Sequence, residues 1–259
     1  METDYLLEIL NMIKKYPEVD CILFGRMIKN AKDEKIYFYN NPYFYGEIAD
    51  WLRIVENKGL LNYPCNKIYK RELIEKDSPV RFPEGKEPGE DFLFNCEYIE
   101  RCKNGVMLEK HLYMYHKQCN AEESLSHRFW LDLNEKTEIF VKKRCHMYKQ
   151  IGLCSTYDEK ELAKQNLYYI YKCVPNMYKK GKYFEKKKRI SFYKKIIKDT
   201  RVKKWVLNDP NREKVVKIFR LLYKTKSPVV CDMVYSLLFG IKNLISEIRS
   251  TQWERNKVE

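Results

Sequence analysis

Two adjacent acidic residues, Glu90 and Asp91, are the side chains of this sequence best placed to do chemistry. They follow residues 78–89, whose three prolines and two glycines predict a stiff loop, and they open a pattern typical of a helix. The free N–H groups and the dipole at a helix start stabilise carboxylates there. An ionised carboxylate in that place can accept a proton from a hydroxyl, as a general base does. From the local pattern alone, the favoured interpretation is that the two residues only cap the helix.

Several other segments of the first half occur in a recognisable order. In chain order they are Met1–Leu6, Val19–Gly25, Asn66–Leu73, Phe82–Gly85 with Gly89–Asn95, and Tyr113–Tyr115 with Ser124. Together they resemble family 2 glycosyltransferases over roughly residues 1–128. The run Gly-Glu-Asp-Phe-Leu-Phe-Asn resembles the acceptor-side motif of those enzymes.

The resemblance implies a GT-A fold, in which a mixed sheet lies between helices. It also implies an inverting reaction, in which a sugar passes from a nucleotide-sugar donor to a glycan or lipid-linked acceptor in bacterial surface polysaccharide synthesis. By this resemblance Asp91 is the expected base, with Glu90 as its substitute or its partner at the acceptor. Lys67 and Arg71 are candidates near the donor or acceptor, although both fit a solvated face as well. Asn95, at the end of the motif, is a further candidate for substrate binding.

The resemblance further implies a divalent metal, Mg²⁺ or Mn²⁺, which a D-x-D motif holds against the donor diphosphate. No D-x-D occurs in these 259 residues. The segments that match belong to the C-terminal part of the family's catalytic domain, so we expect an N-terminally truncated or split enzyme. Its metal is then expected to bind mostly through residues that this chain lacks. His116 is the one residue here that we predict to approach the metal or the diphosphate.

The elements around these residues predict an α/β domain over 1–128 and a basic helical extension over 129–259. In the first part, apolar runs such as Cys21–Phe24 indicate strands, and the patterns at 47–57 and 90–102 indicate helices. Leu6, Leu10 and Ile13 share one stripe of a helix over residues 1–15. The predicted fold is therefore a partial GT-A-like mixed sheet flanked by helices, followed by helices alone.

Charge divides the chain in the same way. Residues 1–130 carry 19 basic and 22 acidic residues, whereas residues 131–259 carry 31 and 14. Residues 179–249 combine lysine clusters with apolar helix faces, which suits an anionic membrane surface. A solvated helical appendage is the competing interpretation, and nucleic acid is less favoured because no nucleic-acid-binding motif is present. The longest apolar window, Ser227–Ile241, has 15 residues, fewer than the roughly 20 that a membrane-spanning helix needs.

The remaining expectations concern location and partners. Nine cysteines without C-x-x-C spacing, in a chain that opens on no secretory signal, predict reduced thiols and a cytoplasmic protein. With the basic helices, a peripheral place at the inner face of the membrane is the further expectation. A sheet edge left open by a missing half predicts a homodimer or a partner chain that covers it. The alternative function is a non-catalytic peripheral membrane or interaction protein derived from such an enzyme.

Overall fold

A computed structural model describes residues 5–30, 35–84, 88–117, 129–179, 184–209 and 214–255. The chain forms two compact units. The first contains Met1–Arg128 and Lys142–Glu159, and the second contains Phe129–Val141 and Lys160–Glu259. The proposed site lies within the first unit.

The first unit is built on a five-stranded mixed sheet. Its strands are β1 (Cys21–Asn30), β2 (Ile36–Tyr39), β3 (Phe44–Glu47), β4 (Lys67–Tyr69) and β5 (Asn104–Lys117), in the order β2-β1-β5-β3 with β4 also paired to β1. Strands β1 and β5 run parallel, and the other pairs are antiparallel. The α/β prediction is thus confirmed. The short strand β3 was not predicted.

Strand β1 forms the centre of this sheet because its first half is apolar on both faces. Cys21, Ile22, Leu23 and Phe24 are each at most 2% exposed. Ile22 and Phe24 pack with Val106 and other apolar residues of β5. At the sheet edge, by contrast, all four residues of β2 are exposed.

Four helices of the first unit surround the sheet: α1 (Tyr5–Lys15), α2 (Ile48–Asn57), α3 (Arg71–Glu75) and α4 (Glu90–Ile99). Helix α1 buries Ile9 against the sheet, whereas the stripe of Leu6, Leu10 and Ile13 is exposed. Helix α2 packs Trp51 so closely on β5 that a Cβ at Gly105 would lie 2.6 Å from the indole ring. The short helix α3 was not predicted.

Helices α5 (Leu133–Ile151) and α6 (Thr156–Met177) contribute to both units. A capping box begins α6, in which the Asp158 amide donates to the Ser155 hydroxyl and the Ser155 amide donates to the Asp158 carboxylate. Asp158 also pairs with Arg53 of α2 at 2.8 Å, a contact within the first unit.

The rest of the second unit is helical, as predicted: α7 (Lys186–Lys198), α8 (Thr200–Asn208), α9 (Lys214–Lys224) and α10 (Pro228–Arg255). Arg189 of α7 binds the buried Asp232 of α10 at 2.6 Å. The guanidinium of this last residue of the basic run Lys186–Arg189 therefore already forms an ion pair within the protein. Helix α10 runs past the 15-residue window of the sequence prediction. Over Pro228–Ile245 its length and composition are sufficient to cross a membrane. The prediction that this segment is too short to span a membrane is therefore wrong.

Candidate active site

Helix α4 begins with the two acidic residues that the sequence singled out. Gly89, just before it, has φ of +84°, a left-handed conformation that glycine adopts without steric cost. Its carbonyl accepts the first helical hydrogen bond, from the Leu93 amide at 3.0 Å. Glu90 and Asp91 therefore lie in the first turn, and both are partly buried. Part of the preceding loop, residues 85–87, lies outside the described residues.

Asp91 has the electrostatics of a proton acceptor. Burial, with a further contribution from the charge of Glu90, raises the pKa of its carboxyl group to about 6, and Lys67 opposes the shift. The sequence predicted that the helix start would keep this carboxylate ionised, and the structure shows a competing effect of burial. A carboxylate with a pKa near 6 is ionised at neutral pH and is a stronger base than an exposed aspartate.

Lys67 lies close enough to Asp91 to influence its charge, but its ammonium group is occupied by the protein itself. The Lys67 Nζ atom donates to the carbonyl of Leu60 at 2.8 Å, to the carbonyl of Tyr63 and to the side chain of Asn66. Burial lowers the Lys67 pKa to about 8. The residue therefore holds the loop before β4 in place, and its predicted contact with substrate stays a prediction.

Asn95 also contributes to the framework around Asp91. It is fully buried one helical turn after Asp91. Its Nδ2 atom donates to the Leu61 carbonyl at 2.7 Å, and its Oδ1 atom accepts from the Tyr69 hydroxyl at 2.6 Å. The amide thus ties α4 to the segment 61–69 that carries Lys67. Its role toward a substrate, predicted from the motif, is not addressed by these contacts.

The other two candidates are exposed. Arg71 is the first residue of α3, and its charge lowers the pKa of Glu75 one turn later. His116 lies near the end of β5, opposite Lys29 of β1. Within the described ranges, no group of three or more His, Cys, Asp or Glu side chains is arranged to hold a metal ion. The described residues therefore do not form the site that a divalent ion would need.

Sequence reasoning missed one residue of this region, Arg26 of β1. Its guanidinium carbon lies 3.6 Å from the ring centroid of Tyr63 and 5.0 Å from that of Tyr39. Its positive charge acts to lower the pKa values of Cys65 and Lys67, in addition to the larger effects of burial on both groups. The signal in the sequence was an arginine directly after a run of apolar strand residues, and charged residues in such a place are rare unless they are paired.

A buried ion pair supports the helix that carries Asp91. The Nε atom of Arg144 donates to Glu56 of α2 at 3.1 Å, and both side chains are 1% exposed. The Arg144 guanidinium lies 4.5 Å from the ring centroid of Phe92, the residue after Asp91. Through these contacts α5 holds α2 and the start of α4 in one arrangement.

Comparison with known proteins finds a solved structure with a similar fold. No family model matches the chain, and no curated protein matches it. Among solved structures, it is similar to TarS 1–349 of S. aureus, solved in complex with UDP-GlcNAc. The identity is 15%, the TM-score is 0.55, and the match covers 90% of this chain. The chain has a glycosyltransferase-like fold.

The extent of this match is unequal in the two proteins. The chain spans 62% of the TarS chain that it matches. At this identity the likeness concerns the fold alone.

Proposed function

We propose that this protein is a glycosyltransferase of GT-A type, similar to family 2. It would transfer a sugar from a nucleotide-sugar donor to a glycan or lipid-linked acceptor in bacterial surface polysaccharide synthesis. The observation that carries the proposal is Asp91, a partly buried carboxylate with a raised pKa at the start of α4, in a glycosyltransferase-like fold. That TarS was solved with UDP-GlcNAc supports a nucleotide sugar as donor.

In the proposed reaction, the Asp91 carboxylate accepts the proton of an acceptor hydroxyl. The oxygen then attacks the anomeric carbon of the donor sugar, the bond from that carbon to the diphosphate breaks, and the nucleoside diphosphate leaves with its electron pair. Glu90 lies beside Asp91 and raises its pKa, which strengthens the base. A divalent ion, when bound, would stabilise the departing diphosphate. Residues outside those described here would have to hold that ion.

The test is release of nucleoside diphosphate from a panel of nucleotide sugars, beginning with UDP-GlcNAc, with Mg²⁺ or Mn²⁺ and with candidate glycan acceptors. Mass spectrometry of the products identifies the transferred sugar. We expect turnover of at least one donor, faster with the correct acceptor than with water. A chain that neither binds nor consumes any donor would favour the alternative function, a non-catalytic protein derived from such an enzyme.

A second role, at an anionic membrane surface, is favoured by helix α10. Only 17% of its window Pro228–Ile245 is buried. Its exposed apolar side chains recur about every four residues, which places them along one side of the helix: Val229, Met233, Leu237, Ile241 and Leu244. Apolar burial and lysine charge both contribute to binding at such a surface. We therefore propose a cytoplasmic protein that is peripheral at the inner face of the membrane.

Vesicle co-sedimentation tests this role. We expect binding to vesicles with phosphatidylglycerol, weaker binding to pure phosphatidylcholine, and loss of binding in Leu237→Glu. The matched control is Ile139→Glu, at an exposed apolar position of α5 in the same unit. Charge removal should use Lys186, Lys187 and Lys188, because Arg189 holds Asp232. Equal binding by Leu237→Glu and wild type would exclude α10 as the contact.

A partner for the first unit is also proposed, either a second copy or another chain. The edge strand β2 is exposed along its length, and Phe38 within it is 60% exposed. The apolar stripe of Leu6, Leu10 and Ile13 on α1 is exposed as well. Light scattering should find a dimer or larger species, and a monodisperse monomer at high concentration would contradict this.

A further inference from the structure

The side chain of Arg26 is largely buried, with 9% of it exposed. Its Nε atom finds no hydrogen-bond partner among the residues that the structure describes. Within the described part of the chain, no carboxylate lies within ion-pair distance of its guanidinium. Burying a cation in this way is costly, because the lost hydration is not replaced by a counter-charge.

Two tyrosine rings hold this guanidinium in place. Tyr63 lies 3.6 Å from it, at a distance typical of a stacked cation–π contact, and Tyr39 approaches from the paired strand at 5.0 Å. The Tyr63 carbonyl also accepts a hydrogen bond from Lys67, so the segment that stacks on Arg26 is itself fixed. The donors of Arg26 are thus preorganised before any ligand binds.

The charges around Arg26 favour the binding of an anion. Lys67 is a second cation in this region, and the charges of Arg26 and Asp91 act on it in opposite senses. The Cys65 thiol has its pKa raised by burial, so it stays neutral at pH 7. A bound anion would offset the positive charge of the buried Arg26 guanidinium.

We propose that Arg26, which lies near Lys67 as Asp91 does, binds a phosphate or diphosphate group of a substrate. The planar guanidinium suits phosphate oxygens, to which it donates two parallel hydrogen bonds. This inference rests on the proposed function, since it assigns part of the substrate in the same site. The group belongs either to the donor diphosphate or to a phosphate of the acceptor.

Isothermal titration calorimetry with inorganic pyrophosphate and with glycerol 3-phosphate tests this site. We expect saturable binding to wild type, and a loss of affinity of about tenfold or more in Arg26→Gln, because a charge-assisted hydrogen bond is removed. Arg26→Lys, which keeps the charge but not the planar donors, should fall between the two. Arg201→Gln, at an exposed arginine of the second unit, is the charge-matched control and should bind as wild type does.

Competition with UDP separates the two sources. If UDP displaces pyrophosphate and Arg26→Gln weakens UDP binding, the site holds the donor diphosphate. If Arg26-dependent binding of glycerol 3-phosphate persists at saturating UDP, the site holds a phosphate of the acceptor. The inference is overturned if wild type binds neither probe, or if Arg26→Gln and wild type bind them equally. Should Arg26→Gln fail to fold, the comparison with Arg26→Lys decides.

The test also separates this inference from the proposed function. Anion binding that depends on Arg26, without turnover of any nucleotide sugar, would refute the proposed function and leave the anion site standing. Turnover of a nucleotide sugar that is equal in wild type and Arg26→Gln, with no anion binding, would refute the anion site alone.

Discussion

The buried pair of Arg144 and Glu56 gives a sharp prediction for stability. Glu56→Gln removes the carboxylate and leaves the Arg144 guanidinium, 1% exposed, with a neutral amide as its neighbour. Breaking a buried pair from one side costs about 3–5 kcal/mol, because the charge that stays buried loses its counter-charge. In a unit of this size each kcal/mol lowers the melting temperature by about 2–4 °C. We therefore expect a loss of about 6–20 °C, measured by circular dichroism.

The control and the double variant make this test specific. Glu97→Gln removes a carboxylate that is 41% exposed and 3.7 Å from Arg101, so it should cost less than about 1 kcal/mol. Glu56→Gln combined with Arg144→Met removes both charges and should recover most of the loss. A melting temperature of Glu56→Gln equal to that of Glu97→Gln, or a double variant less stable than Glu56→Gln, would refute the reasoning.

Two further predictions concern the pH dependence and the packing of the first unit. Burial raises the pKa of Asp91 to about 6, and a general base must be deprotonated, so kcat/KM should rise with pH through 6 and then level off. A carboxyl ¹³C titration of Asp91 with a midpoint near the ordinary 3.8 would contradict this. Gly105→Ala should destabilise the fold by about 1–3 kcal/mol in urea unfolding, because its Cβ would overlap Trp51. The control is Gly240→Ala in α10, where an added Cβ has no atom within 4 Å, so this substitution should raise the free energy of unfolding by up to about 1 kcal/mol. If Gly105→Ala were the more stable of the two variants, the close packing of Trp51 on Gly105 would be wrong.

Local pattern was enough to predict the start of α4 and the centre of the sheet. Four consecutive apolar residues, Cys21–Phe24, can be buried on both faces only in a central strand. The loop of prolines and glycines before Glu90 ends where Gly89 adopts its left-handed conformation. In both cases the information lies within a few residues of the chain, which is why the sequence alone contained it.

The contacts that tune the site could not be predicted in this way. Glu56 and Arg144 are 88 residues apart, and neither residue type indicates on its own that it will be buried. The ammonium group of Lys67 is satisfied by backbone carbonyls, whose positions depend on how the loop before β4 folds. Likewise, the effect of burial on Asp91 depends on what packs over the helix start. Such long-range arrangements follow from tertiary packing rather than from periodicity.

The central claim, that Asp91 is the base of a sugar transfer, is tested most directly by Asp91→Asn. We expect turnover of the nucleotide sugar to fall by about 100-fold or more. The melting temperature should not fall, because the ionised form of Asp91 is disfavoured by burial. Asp50→Asn, at a 59% exposed aspartate of α2, should keep turnover close to that of wild type. If Asp91→Asn turns over the donor as fast as Asp50→Asn does, the account of this site is wrong.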